Sequence, residues 1–239
     1  MFISYAQNLE DLMLWRALKT IQNGFYIDVG AWHPETDSIT KWFYDCGWSG
    51  INIEPDDYMF TQLVKARNRD VNLKLVLSET AGYESLFQVG EATGLSTLCV
   101  DIMQIHKTSG YSIVENQVPS ATLSSICNEY APAEVHFLKI DVEGAEYSVL
   151  RGADFERFRP WIVLIEATVP LSLIPSFANW EPILLNSNYE YVYTDGINRF
   201  YISCEKSNEL RYAFRFPPNV FDDYVRANER SFWQKYQRC

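Results

Sequence analysis

Short apolar runs recur along this chain, and most stop at an acidic residue followed by a turn. Residues 25–29, 50–53, 73–77, 135–140 and 162–165 read as strands. The last two are almost continuously apolar, as expected of strands covered on both faces. Between the strands, apolar residues three and four apart mark helices. One spans 8–22, with Leu9, Leu12, Leu18 and Ile21 on or near one face; a second covers about 38–45. A third starts at Asp56-Asp57 and turns Phe60, Leu63 and Val64 inward. Residues 85–89 add a short antiparallel piece. Residues 189–193 and 199–203, joined by Asp195-Gly196-Ile197-Asn198, form a closing hairpin. The alternation predicts an α/β fold: a doubly wound, Rossmann-like sheet, mostly parallel, with a C-terminal antiparallel hairpin.

At 239 residues the chain suits one domain, 1–239, large enough to bury a substantial core. Three elaborations are expected on it. The first is the N-terminal helix. The second is an insertion over about 90–131, where the pattern weakens into Gly- and Ser-dotted sequence with helices near 100–106 and 123–130. It reads as a lid, an acceptor-binding element or a structural excursion. The third is a helical tail over about 205–239, with Val225, Phe232 and Trp233 packing on the chain's own core or, in a homodimer, on a second copy.

Composition narrows the partners. A formal net charge of −11 argues against sequence-independent nucleic-acid binding, which needs a basic face. Arg211, Arg215, Arg226, Arg230, Lys235 and Arg238 gather near the C-terminus and read as a solvated helix face. The five cysteines are scattered and never form a CxxC pair, so neither a zinc site nor a disulfide framework is expected. Reduced thiols point to the cytoplasm. The N-terminus is not a signal peptide, and no apolar stretch approaches the roughly 18 residues of a membrane span.

The chemistry concentrates where two strands end. GFYIDVGAWHP (residues 24–34) and LKIDVEGAEYSVLRG (residues 138–152) each end a strand on Asp and turn at Gly into a helix. Side by side, they make a crevice lined by Asp28, Asp141 and Glu143 and by helix N-termini. Glu54 ends the second strand roughly 20 residues beyond Gly30, the place where such folds hold a ribose through both hydroxyls. The first turn is not GxGxxG: Gly30 is followed by Ala31-Trp32-His33-Pro34. A pyrophosphate would have poor backbone access there, which disfavours NAD. A cationic, hydroxyl-bearing cofactor without phosphate suits the carboxylates better, and S-adenosylmethionine is such a molecule.

SYAQNLED (4–11), FYIDVGAWHP (25–34), GWSGINIEP (47–55), LKIDVEGAE (138–146), RPWIVLIEAT (159–168) and DGINRFYI (195–202) together resemble the FkbM family of methyltransferases. PPNVFDDY (217–224) resembles a branch common in bacterial glycan-biosynthesis clusters. The resemblance covers nearly the whole chain. It implies a class I methyltransferase fold, S-adenosylmethionine as cofactor, and methylation of a hydroxyl oxygen on a sugar or glycan. By the same resemblance Asp28, Gly30 and Ala31 would lie beside the methionine part of the cofactor, and Glu54 would hold its ribose. Ser78 would lie near its adenine, with Tyr5 and Gln7 closing over it.

Methyl transfer to a sugar hydroxyl needs a base to share the hydroxyl proton. Asp141, Glu143, Glu166 and His33 can reach such a crevice. Asp141 is also a partner for the methionine ammonium, and His33 has the most suitable ordinary pKa. His106 could approach an acceptor from the insertion, whereas His136 sits inside a strand as a core residue. Asp141, Glu143 and Glu166 could instead gather a hard divalent cation, but their spacing does not demand one and no metal is expected. Trp32, Trp48, Tyr111, Trp180 and Tyr193 fall in turns or near the crevice edge, where rings can stack on sugars. A polyketide-like acceptor, or a catalytically silent module that recruits glycan-assembly enzymes, are the competing readings.

Overall fold

Neighbouring residues of the first central strand serve two different cores. Tyr26 packs with Phe43, Trp48, Phe137 and Phe200, whereas Ile27 packs with Ile51, Leu138, Val163 and Leu150. Side chains alternate across a strand, so a strand apolar at both positions is buried from both sides.

The computed structural model describes residues 1–90 and 94–229. In chain order its elements are β1 (Phe2–Ser4), α1 (Glu10–Leu18), β2 (Phe25–Val29), α2 (Lys41–Asp45), β3 (Ser49–Ile53), α3 (Asp57–Ala66), β4 (Val71–Leu73), β5 (Val76–Leu77) and β6 (Gly82–Val89). They continue with α4 (Val100–Thr108), β7 (Ile113–Ala121), α5 (Leu123–Tyr130), β8 (Phe137–Ile140), α6 (Glu146–Arg151), β9 (Ile162–Glu166), α7 (Glu181–Asn186), β10 (Tyr189–Thr194), β11 (Asn198–Ser203), α8 (Ser207–Leu210) and β12 (Tyr224–Arg226). Seven strands form one mixed sheet in the order β10-β11-β9-β8-β2-β3-β4. The strands β9, β8, β2, β3 and β4 run parallel, and β11 runs antiparallel to both β9 and β10. Met13, Leu14 and Leu18 of α1 cover one face, and Leu123, Ile126, Val149, Leu150 and Leu184 of α5, α6 and α7 cover the other.

Four expectations are corrected. The strand expected at 73–77 is two: β4 ends the main sheet, and β5 joins β7 and β6 in a separate three-stranded sheet. Within the insertion β7 escapes the sequence reading because most of its side chains are exposed and show no apolar alternation. Its pairing with β6 over eight residues defines it. The tail is not helical throughout. Val225 lies in β12, which pairs in parallel with β1, so Arg226 sits on a strand, not a helix face. Phe232, Trp233, Arg230, Lys235 and Arg238 lie outside the described residues. The N-terminal helix is also shorter than 8–22, because Leu9 takes a left-handed conformation with φ 66° just before it.

Among the described residues no helix is long and apolar enough to cross a membrane, and Cys46, Cys99, Cys127 and Cys204 are free thiols.

Candidate active site

At the carboxyl ends of β2, β3, β8 and β9 the chain opens into a cavity of about 1020 Å³. The turn after β2 forms its floor. Gly30 has φ +76°, and a Cβ there would lie 1.9 Å from the Asp141 carbonyl oxygen. Only glycine lets the two turns approach this closely. The Gly30 and Ala31 amides both donate to the Ile53 carbonyl, at 3.0 and 3.1 Å, which locks this turn to the end of β3.

Glu54 follows β3 and is buried at the cavity wall. Its Oε2 accepts the Trp32 amide at 2.7 Å and its Oε1 the Asp56 amide at 2.8 Å. Burial pushes its carboxyl up to about 7, against the lowering effect of those amides. Each carboxylate oxygen has two acceptor positions, so two remain for a ligand. Asp56 caps α3 by accepting from the Tyr58 and Met59 amides, and Met59 then faces the cavity beside Val76, Leu77 and Leu86. This apolar wall suits the flat face of a base.

The turn after β8 carries Asp141, Glu143 and Gly144. Glu143 has φ 54° and Gly144 has φ 97°. A non-glycine residue held left-handed costs about 1–3 kcal/mol; here the Thr97 hydroxyl clamps the Glu143 carbonyl at 2.6 Å. One carboxylate oxygen each of Asp141, Glu143 and Glu166 lie within 4.8 Å of one another. Two such charges at this spacing repel by about 3–4 kcal/mol at an effective dielectric constant near 20. The Glu143 carboxyl is accordingly raised to about 9 by burial, Asp141 and Glu146. Glu166 is raised to about 11 by burial, Asp141 and Glu143. Neighbouring Glu146 accepts the Val142 and Gly144 amides, and burial raises it to about 7.

One cation serves this end of the sheet. Lys139 of β8 is buried, its Nζ 3.2 Å from Asp28 and 3.6 Å from Asp141, and it donates to the Gly30 carbonyl at 2.5 Å. Burial works to lower its pKa, but the Asp28 and Asp141 carboxylates outweigh it and hold the ammonium charged. Among the described residues the cavity is lined by seven carboxylates (Glu10, Asp37, Glu54, Asp56, Asp141, Glu143 and Glu166) and by no cation except Lys139.

Of the residues singled out in the sequence, Gln7, Gly30, Ala31, Glu54, Asp141, Glu143 and Glu166 line the cavity, whereas Tyr5, Asp28, His33 and Ser78 do not. Asp28 is buried beneath it, held by Lys139 and by the Thr40 hydroxyl at 3.0 Å, and so positions the turn from below. The His33 Nδ1 accepts the Glu35 and Thr36 amides and closes a turn. Ser78 donates to Glu84 at 2.7 Å, and Tyr5 lies under the Lys41 ammonium. His106 is buried in α4 away from the cavity. His136 behaves as expected, accepting the Phe25 amide at 3.0 Å between Trp48 and Trp161. Among the aromatic candidates only Trp32 reaches the cavity; Trp48 and Trp180 are core residues.

Glu10, Asp37, Asp56 and Lys139 are cavity residues that the sequence reading missed. Lys139 left a signal: Asp28 and Lys139 are the only charged residues inside two otherwise apolar strands, and they are register partners between β2 and β8. A buried charge demands such a partner.

A family model described as the methyltransferase FkbM domain matches residues 28–193. Among solved structures, the chain is similar to a methyltransferase FkbM from Methylobacillus flagellatus KT, with 16% identity and a TM-score of 0.48, covering 76% of this chain and 44% of that one. It is also similar to a TehB-like SAM-dependent methyltransferase from Corynebacterium glutamicum ATCC 13032 Kitasato, with 7% identity and a TM-score of 0.44, covering 81% and 87% of the two chains. The chain thus spans less than half the length of that FkbM structure. Comparison with curated proteins returns no match.

Proposed function

Since the chain belongs to the FkbM methyltransferase family, we propose that it transfers a methyl group from S-adenosylmethionine to a hydroxyl oxygen of a sugar or glycan. The observation that carries this reading is the excess of acid in the cavity: with burial keeping Glu10, Glu143 and Glu166 protonated, four further acidic side chains (Asp37, Glu54, Asp56 and Asp141) still stand against one lysine, which is already shared between Asp28, Asp141 and the Gly30 carbonyl. Such a lining opposes a pyrophosphate and favours a sulfonium and an ammonium. We read the strand order, with its antiparallel β11, as the doubly wound class I methyltransferase sheet.

The residues present fit this cofactor. Glu54 keeps acceptor positions for two ribose hydroxyls, and Val76, Leu77 and Met59 offer an apolar wall for adenine. Gly30, Ala31, Gln7 and Glu10 line the remaining side, where the methionine end would lie. When bound, the cofactor supplies an electrophilic methyl group. The chain's part is to orient the acceptor oxygen in line and to take its proton. Asp141 suits that task, because its side chain is 40% exposed and 3.6 Å from the Lys139 ammonium. Glu143 and Glu166, with their raised pKa values, hold protons at neutral pH in the metal-free protein and can donate hydrogen bonds to the acceptor.

Leu171 and Leu173 stand exposed at the cavity lip, at 69% and 78%. They favour an acceptor with an apolar portion, and a polyketide-like hydroxyl is the second reading. Incubation with methyl-labelled S-adenosylmethionine and a panel of both acceptor types decides. Label is expected in an alkali-stable ether on a sugar; label only on the apolar acceptors moves the substrate class. No transfer to any hydroxyl contradicts the proposal.

A further inference from the structure

We propose that Asp141, Glu143 and Glu166 bind a hard divalent cation of the magnesium, calcium or manganese class inside this cavity. Three carboxylate oxygens, two from the turn after β8 and one from the end of β9, lie within 4.8 Å of one another. Calcium takes oxygen ligands at about 2.3–2.6 Å, so three ligand atoms spread evenly around the ion stand about 4.0–4.5 Å apart, inside the 4.8 Å limit within which the triad's oxygens already lie. Magnesium, at about 2.0–2.1 Å, would draw the same atoms closer together than calcium.

A second observation separates this triad from an ordinary acidic patch. Glu166 is only 9% exposed, lies on the cavity wall, and its Oε2 finds no hydrogen-bond partner among the described residues. The Oε2 of Glu143 is likewise buried and unpartnered. Such atoms are costly unless something meets them, and both residues belong to the triad. The nearest cation, Lys139, lies 3.6 Å from Asp141 and is divided among three partners. The turn that presents Glu143 is itself held in an unfavourable left-handed conformation, a cost that a metal ligand would justify.

The use of the ion rests on the methyl-transfer reading; its binding does not. Bound there, it would draw in the acceptor hydroxyl and lower its pKa. The proton would pass to the free oxygen of Asp141 as the oxygen–methyl bond forms and the sulfur–methyl bond breaks.

The test is calorimetric titration of Mn²⁺ and of Ca²⁺ into the EDTA-treated, dialysed protein, with and without S-adenosylhomocysteine. The same titrations are run on Glu166→Gln and Asp141→Asn, with melting curves to verify folding. One site per chain is expected, weakened at least tenfold in each variant, and unaffected or strengthened by S-adenosylhomocysteine. Asp141 is half-exposed, so its variant keeps the test valid should Glu166→Gln fail to fold. No binding of either ion in either state, or binding unchanged by the substitutions, overturns the proposal. Competition between the ion and S-adenosylhomocysteine also overturns it and assigns the triad to the methionine ammonium. Binding of S-adenosylhomocysteine alone reports separately on the cofactor reading.

Discussion

Lys139 and Asp28 are the pair on which the site's geometry turns. Both are buried, and Lys139 ties Asp28, Asp141 and the Gly30 carbonyl into one cluster. Removing one partner of a buried pair leaves an uncompensated charge, typically at a cost of about 3–5 kcal/mol. Lys139→Met is therefore expected to destabilise the protein by that amount in denaturant unfolding. Adding Asp28→Asn should recover a large part of the loss, because the stranded charge goes with it. Additive losses would show that the two do not act as a pair. At this scale the sequence was partly legible. Gly30, Glu54, Asp141, Glu143 and Glu166 were found because each stands at a strand end. Asp28 and His33 share that neighbourhood but turn away, one into a buried ion pair and one into a turn. Sequence position marks the edge of a sheet, not the direction of a side chain.

Elements were legible where both sides of a strand are buried. β2 was read without error, and β3, β8 and β9 within two residues at each end, since their apolar runs have no other use; the β10–β11 hairpin, whose outer strand is mostly half-buried or exposed, was legible from the turn residues Asp195-Gly196-Ile197-Asn198 between its strands. β7 was missed for the opposite reason. A strand whose side chains mostly face solvent carries no periodic signal, and its hydrogen bonds to β6 and β5 define it. Breaking the expected 73–77 strand into β4 and β5 follows from the same gap, because β5 takes β7 as its partner. β12 was hidden because its pairing with β1 joins segments more than two hundred residues apart, a contact no local pattern encodes.

The whole molecule carries an excess of acid, and its cavity concentrates it. Burial raises the carboxyls of Glu10 to about 8 and of Glu54 and Glu146 to about 7; burial and neighbouring carboxylates raise Glu143 and Glu166 further. In the unfolded chain these groups titrate near 4.5. Between about pH 4.5 and 8 the native state therefore holds more protons than the unfolded state, and stability falls as pH rises through that window. The ligand-free protein in chelated buffer should melt several degrees lower at pH 8 than at pH 5, at about 2–4 °C per kcal/mol. A melting temperature that climbs over that range would show that these carboxyls are not held protonated by the fold.

The acidic side chains of the cavity, Glu54 foremost, are the basis for assigning S-adenosylmethionine to it, and that claim has a direct test. S-adenosylhomocysteine titrated calorimetrically into the wild-type protein and into Glu54→Ala would measure it. The account predicts micromolar binding to the wild type that weakens at least tenfold, about 1.4 kcal/mol, when the Glu54 carboxylate is removed. No heat with the wild type and no shift in its melting temperature, or equal affinity in both proteins, would contradict it.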